Sequence, residues 1–250
     1  MATILIVESN PFEGPRSAGF FTESIEIVDP TLQTRVIAPY DGPVDDAMLS
    51  DVDGAIFTGS AVEWGVDAPQ AAPLRAVMER IFAARIPSYG SCNGMQMAAF
   101  VLGGASGPSG NGQEAGLAQA VALTDAGTRH PFLAGRRSGF AAPCIHLHEV
   151  TRLPEGAVLL AGNSHSPVQA FAYEQAGVRF WGVQYHPEMS PACLAGILAE
   201  QGGHGAATLA DLRHAETDAE AARRLGAAPE DVTPEGRLTE IRNWLASLSA

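Results

Sequence analysis

The stretch Ile86–Gly104, IPSYGSCNGMQMAAFVLGG, decides the fold. A short apolar run ends at Gly90-Ser91-Cys92-Asn93-Gly94, and a helix-forming run follows without a break. This is strand, sharp turn, helix, with Cys92 at the apex and a glycine two residues to either side. A Gly-x-nucleophile-x-Gly turn of this kind is a nucleophile elbow. Because the turn is tight, side chains at Gly90 and Gly94 are expected to collide with strand or helix. The turn pushes Cys92 out at the end of a sheet and sets its sulfur at a helix N-terminus, whose partial positive charge favours a thiolate. The plainer alternative is a buried cysteine at an ordinary strand-to-helix turn. A base and an oxyanion site elsewhere in the chain would decide between the two.

Upstream of the elbow, an unbroken apolar run at Ile4 to Glu8 reads as a buried parallel strand. The Pro- and Gly-rich residues 10–19 read as a loop and Gly19 to Val28 as a helix. Thr34 to Ala38 and Gly54 to Phe57 read as strands, the latter running into Thr58-Gly59-Ser60. Pro69 to Arg85 carries Leu74, Val77, Met78, Ile81 and Phe82 at helical spacing. The alternation predicts an α/β fold with a mostly parallel central sheet flanked by helices, and ligands at the carboxyl ends of its strands. Thr58-Gly59 and Cys92 both fall at such ends.

Downstream, residues 103–116 are rich in Gly and Ser and read as a mobile loop. Ala118 to Leu123, Ile145 to Val150 and Ala157 to Gly162 read as strands, and Gln169 to Tyr173 with Val178 to Gln184 as a hairpin. This half is expected to be a mixed sheet with a small antiparallel flap. Pro191 to Gln201, Thr208 to Leu225 and Pro234 to Leu248 read as helices, with Thr233-Pro234-Glu235 as an N-terminal signal.

With 250 residues, 46% of them hydrophobic and 17% charged, the chain can bury a sizeable core. A net charge of -13 argues against a nucleic-acid surface. The three cysteines, Cys92, Cys144 and Cys193, have no metal-ligand spacing and suit a reducing, cytoplasmic compartment. No signal peptide and no membrane span are expected.

At the end of the apolar strand Phe180 to Gln184 stands Tyr185-His186-Pro187-Glu188. The imidazole of His186 can take a proton from Cys92 and return it to a leaving amine. The carboxylate of Glu188 can hold the second ring nitrogen and so fix tautomer and orientation. Pro187 fixes the backbone between them. Alone, His-x-Glu is a weak signal, and its weight comes from the elbow.

Here the sequence resembles the class I glutamine amidotransferase family. GSCNGMQ is similar to the family's Gly-x-Cys-x-Gly-x-Gln, and WGVQYHPEM (Trp181 to Met189) is close to its Gly-x-Gln-Phe-His-Pro-Glu. VTRLPEGAVLLAGN (Val150 to Asn163) and PVQAF (Pro167 to Phe171) fall between them in the expected order. The likeness covers residues 3 to 200, as in a stand-alone, GMP-synthase-like glutaminase domain of flavodoxin-like fold. It implies an amidotransferase domain over 1–202 and a packed helical extension over 203–250. It implies Cys92 as nucleophile, His186 as base and acid, and Glu188 as its orienter. It implies an oxyanion hole from the backbone N–H groups of Gly59 and Asn93. Gln96 matches a residue that helps hold the substrate, and His146 and Leu147 lie where the substrate's α-amino and carboxylate groups are read, mostly by main chain. No cofactor and no metal are implied. The family usually has an acidic residue where His148 stands and often a small one where Leu147 stands, which leaves substrate choice open.

The expected activity is hydrolysis of glutamine, or of a γ-glutamyl amide, through a cysteine thioester. Three versions remain: a glutaminase feeding a separate synthase, a stand-alone γ-glutamyl hydrolase or peptidase, and an inactive binding or scaffold homologue. Plainer roles are kept for other residues. His146 and His148 on one strand face form a possible metal pair without a third ligand of convincing spacing. His130 reads as a loop residue, His165 as structural, Cys144 and Cys193 as inert, and Trp64 as either a wall of the site or packing.

Overall fold

The computed structural model describes residues 2–11, 13 and 16–248. Of the expected 10–19 loop, positions 12, 14 and 15 lie outside the described residues. In the first half, strands and helices alternate: β1 (Thr3–Val7), α1 (Ala18–Val28), β2 (Gln33–Ile37), the short α2 (Asp46–Leu49), β3 (Gly54–Phe57), α3 (Ala72–Ala83), β4 (Ser88–Ser91) and α4 (Asn93–Val101). The second half is strand-rich: β5 (Ala105–Pro108), β6 (Glu114–Leu123), β7 (Phe140–His146), β8 (His148–Arg152), β9 (Val158–Gly162), β10 (Ala170–Gln175) and β11 (Val178–Val183). Helices follow: α5 (Pro191–Gln201), α6 (Ala206–His214), α7 (Ala219–Arg224), α8 (Pro229–Val232), α9 (Pro234–Arg237) and α10 (Thr239–Ser247).

Among the described residues, nine strands form one mixed sheet in the order β2-β1-β3-β4-β11-β10-β9-β6-β7. The first five are parallel to one another, and the remainder continue antiparallel. This is the α/β arrangement expected from the alternation. The parallel strands are buried on both faces, which is why they read as continuous apolar runs. Ile4 and Ile6 face one helical layer with Phe21, Ile25, Trp244 and Leu245, while Leu5 and Val7 face the other with Leu74, Val77, Met78 and Met95. A third cluster joins α5, α6, α7 and α8 through Leu198, Leu212, Ala222 and Val232 to Leu117 and Ala141. No helix among the described residues is long and apolar enough to cross a membrane.

Register gathers the site. Phe57 of β3 pairs with Gly90 of β4, and Ser91 of β4 pairs with Val183 of β11. The three strands run the same way and end at one edge of the sheet. The segments that leave them, Thr58-Gly59, Cys92 and Tyr185-His186, therefore converge.

Four expectations are corrected. Residues 103–116 are not a loop throughout: β5 pairs antiparallel with β8 in a small second sheet, and β6 begins at Glu114. The Ala-Ser-Gly-Pro run of β5 lacks the apolar alternation that marks a strand. The segment 145–150 is two strands broken at Leu147, because His146 pairs with Glu114 of β6 while His148 pairs with Pro108 of β5. The residues before it form β7, whose Pro143 is tolerated because β7 is the last strand in the order. Finally, each of the two C-terminal helices is divided. The side chain of Asp218 accepts the Glu220 N–H and starts α7, and α9 and α10 are separated at Leu238. Thr233 accepts the Gly236 N–H at the start of α9, the N-terminal signal expected there.

Candidate active site

Cys92 stands between β4 and α4 with φ +50° and ψ −106°, a conformation that L residues seldom adopt. Such strain is worth about 1–3 kcal/mol and persists only where the surroundings impose it. Two close approaches impose it here. A Cβ on Gly90 would lie 2.7 Å from the Gly94 carbonyl carbon and 2.8 Å from the Met95 nitrogen, and one on Gly94 would overlap the Phe57 carbonyl oxygen. Both elbow glycines are thus needed for the reason the sequence suggested. The Cys92 N–H donates to the Val183 carbonyl at 2.8 Å, tying the apex to β11.

The His186 ring sits beside this apex. Its Nδ1 meets Glu188 Oε1 at 2.6 Å, and its Nε2 is buried with no hydrogen-bond partner among the described residues. Burial opposes charge on the ring. The Glu188 carboxylate and the neighbouring Cys92 sulfur outweigh that effect and hold the His186 pKa well above its ordinary value. The Cys92 thiol itself points at the Ile145 carbonyl, 4.0 Å away. Gly59 closes the group: a Cβ there would lie 2.6 Å from His186 Cε1 and 3.6 Å from Cys92 Cβ. Asn93 is the first residue of α4, so its N–H belongs to the helix N-terminus beside Cys92. The fold therefore brings Cys92, His186, Glu188, Gly59 and Asn93 together.

The other expected site residues behave differently. Gln96 is buried, and its Nε2 donates to the His148 carbonyl at 2.7 Å and to Gln184 Oε1 at 3.2 Å, so its amide nitrogen braces the protein. His146 is also buried. Its Nε2 meets Glu114 Oε2 at 2.9 Å and its Nδ1 meets the His148 carbonyl at 3.1 Å. The break at Leu147 puts His146 and His148 in different sheets, so the same-face pair drawn from the sequence does not form. Leu147 is 54% exposed and stands on the lip of a cavity of about 570 Å³. That cavity opens over Gly59 and His186 and is walled by Phe20, Val62, Leu147, Met189 and Ile197, with Arg16, Gln113 and Glu200 among its polar residues.

Several residues escaped the sequence reading. The Ser91 hydroxyl lies 3.1 Å from both oxygens of Glu188 and from the Tyr185 carbonyl, so its single proton has the carboxylate and that carbonyl as alternative acceptors. Glu8, 1% exposed, accepts the N–H groups of Ser17 and Ala18 at the start of α1 and the side-chain amide of Asn10. Asn10 in turn reaches the Gly59 carbonyl at 3.3 Å and accepts from Ser60 and Ala61, so the Gly59 turn is held from β1. Only an acid closing an otherwise apolar strand hinted at Glu8. His130 caps a short 3-10 turn and packs edge-on against Trp181, and Trp64 packs against Tyr40.

Known proteins share this architecture. The model of the class-I glutamine amidotransferase family matches residues 31–195. The chain is 36% identical over 195 residues to the gamma-glutamyl-L-1-hydroxyisopropylamide hydrolase of a Pseudomonas species, covering 76% of this chain and 65% of that protein. It is 33% identical over 155 residues to the glutamine-hydrolyzing GMP synthase of Symbiobacterium thermophilum, covering 61% of this chain and 28% of the synthase. The chain thus spans less than two thirds of the length of either relative. A glutamine amidotransferase structure from Thermotoga maritima superposes with a TM-score of 0.68 at 19% identity, over 99% of this chain and 97% of that one, a likeness of fold.

Proposed function

Because the chain belongs to the class-I glutamine amidotransferase family, we propose that it hydrolyses γ-glutamyl amides through a γ-glutamyl thioester on Cys92. The Cys92 thiol gives its proton to His186 Nε2 and attacks the amide carbonyl. The backbone N–H groups of Gly59 and Asn93 stabilise the oxyanion, a term worth about 3–4 kcal/mol per donor in hydrolases of this logic. His186 then protonates the departing amine, and Glu188 holds the imidazolium in register. Water, deprotonated by His186, cleaves the thioester and releases glutamate. The chemistry calls for no cofactor.

The observation that carries a substituted amide over plain glutamine is the cavity above Gly59 and His186. Departing ammonia would use little of its volume and nothing of its apolar walls. An amine bearing a small aliphatic group would bury surface there, at roughly 25 cal/mol per Å². The hydrolase relative, 36% identical, supports the same choice. A second reading, a glutaminase passing ammonia to a separate synthase chain, is favoured by the synthase relatives and by the exposed Leu147 lip, where another chain could seat. A reducing cytoplasmic compartment suits the three free thiols. The family match ends at residue 195, and we divide the chain accordingly into an amidotransferase domain, 1–202, and a helical extension, 203–250.

The test is turnover by the isolated protein of glutamine and of a series of γ-glutamyl N-alkylamides. Substituted amides are expected to be cleaved with the higher kcat/KM, and Cys92→Ser to lower turnover at least about 10⁴-fold with the fold kept. Cleavage of glutamine alone would favour the synthase-linked version. Undiminished turnover by Cys92→Ser would remove the thioester.

A further inference from the structure

The turn that carries His186 and Glu188 is held from outside the part of the chain that the family model matches. Arg237, at the end of α9, is 6% exposed, and its Nη1 donates to the Pro187 carbonyl at 2.7 Å. Its Nε bonds Glu216 Oε1 at 3.1 Å, which fixes the guanidinium from the other side. Three residues on, Glu240 is fully buried and accepts the Tyr185 hydroxyl at 2.9 Å. Arg136, bound to both oxygens of Glu240 at 2.7 and 2.9 Å, balances its charge. The C-terminal helices thus grip the turn on both sides of His186, at Tyr185 and at Pro187.

His186 and Glu188 are joined through Pro187, so the orientation of the Pro187–Glu188 peptide bears on how the ring and the carboxylate, 2.6 Å apart, face each other. In a buried turn the Pro187 carbonyl needs a donor, because an orphaned carbonyl would rotate to find one. Arginine suits the position: one planar group meets a carbonyl and a carboxylate at once, which an ammonium cannot do in the same geometry. Resting on the Cys92–His186–Glu188 reading above, we infer that Arg237, seconded by Glu240, is a positioning residue for the reaction, aligning His186 with Cys92 through the main chain of Pro187. The extension is then part of the active site's framework, although it touches no substrate.

The test uses the full chain and the variants Arg237→Met, Arg237→Lys and Tyr185→Phe. Two quantities are read well below each variant's melting temperature. The first is kcat and KM on a γ-glutamyl amide. The second is the rate of Cys92 alkylation by iodoacetamide from about pH 4 to about pH 9, followed at the Cys92 peptide by mass spectrometry. Misalignment of a reacting pair can lower rates on the order of 10²-fold. Arg237→Met is expected to show a kcat loss of about that size with KM changed less than about threefold. Its dependence of alkylation rate on pH, which the neighbouring His186 charge shapes in the wild type, should also change. Arg237→Lys, which keeps one donor for the carbonyl, restores most of both. If Arg237→Met does not fold, Arg237→Lys and Tyr185→Phe carry the comparison, each with a smaller loss in kcat and a partial change of the profile. A lowered melting temperature with kcat and alkylation profile unchanged would mean a purely structural role and overturns the inference alone. A wild-type profile like that of a free thiol overturns the triad reading, and this inference with it.

Discussion

Two turns meet at the site, and they are held in opposite ways. The elbow, Gly90 to Gly94, is fixed by backbone against backbone: missing side chains let β4 touch the first turn of α4, and let α4 touch the end of β3. The Tyr185–Glu188 turn is fixed by side chains from distant elements. Ser91 holds the Glu188 carboxylate, Arg237 the Pro187 carbonyl and Glu240 the Tyr185 hydroxyl, while the His186 N–H bonds the Pro143 carbonyl at 2.7 Å. A turn made by sterics tolerates almost no substitution at its glycines. A turn made by several hydrogen bonds should lose function in steps as they are removed one by one.

Among the residues that hold the two turns, the largest effect is expected from the His186 partner. Glu188→Gln should lower kcat on the order of 10³-fold, since the orienting charge is lost. It should also change how stability depends on pH. The folded His186 pKa is raised, so the stabilisation that comes with its charge is full below the unfolded value of about 6.5 and fades as pH rises through the raised value. The gap in melting temperature between wild type and Glu188→Gln should therefore be wide near about pH 6 and narrow in alkali. A gap independent of pH would show that the charge on His186 contributes nothing to stability.

Gly94→Ala comes next. Its Cβ would overlap the Phe57 carbonyl, and the expected loss is about 1–3 kcal/mol by urea unfolding, with activity falling in step as the elbow shifts. A variant as stable as wild type would break the claim that close backbone approach at the glycines shapes the elbow. Ser91→Ala should be mildest, about 1 kcal/mol in stability, because three other anchors remain on the opposite turn. A loss in kcat of less than about tenfold would fit a turn that yields in steps. A complete loss would make Ser91 the main anchor and sharpen the ranking of the others.

The same contrast explains what could be read from the sequence. Gly90, Cys92 and Gly94 state their geometry within five residues, and the apolar run before them states the strand. His-Pro-Glu at a strand end is nearly as local. The α/β order of the first half follows from apolar periodicity, which survives because the parallel strands are buried on both faces. What was missed depends on partners far along the chain. Ser91 is merely the residue between a glycine and a cysteine until Glu188 arrives from 97 positions away. Arg237 and Glu240 look like ordinary charges on polar helices until α9 and α10 dock. The break at Leu147 exists because the chain passes from one sheet to another there, and a single run of residues carries no sign of two different pairing partners.

One consequence concerns light rather than chemistry. The last helix lays Trp244, 2% exposed, against Tyr89, with ring centroids 5.9 Å apart, and Tyr89 lies in the strand that ends at the elbow. A shielded indole emits at short wavelength, and a tyrosine this close passes its excitation to it. Release of α10 would redden the emission and uncouple the two rings. With Trp64 and Trp181 replaced by phenylalanine, the remaining indole would therefore gauge whether the C-terminal segment is seated, readable in the same cuvette as turnover.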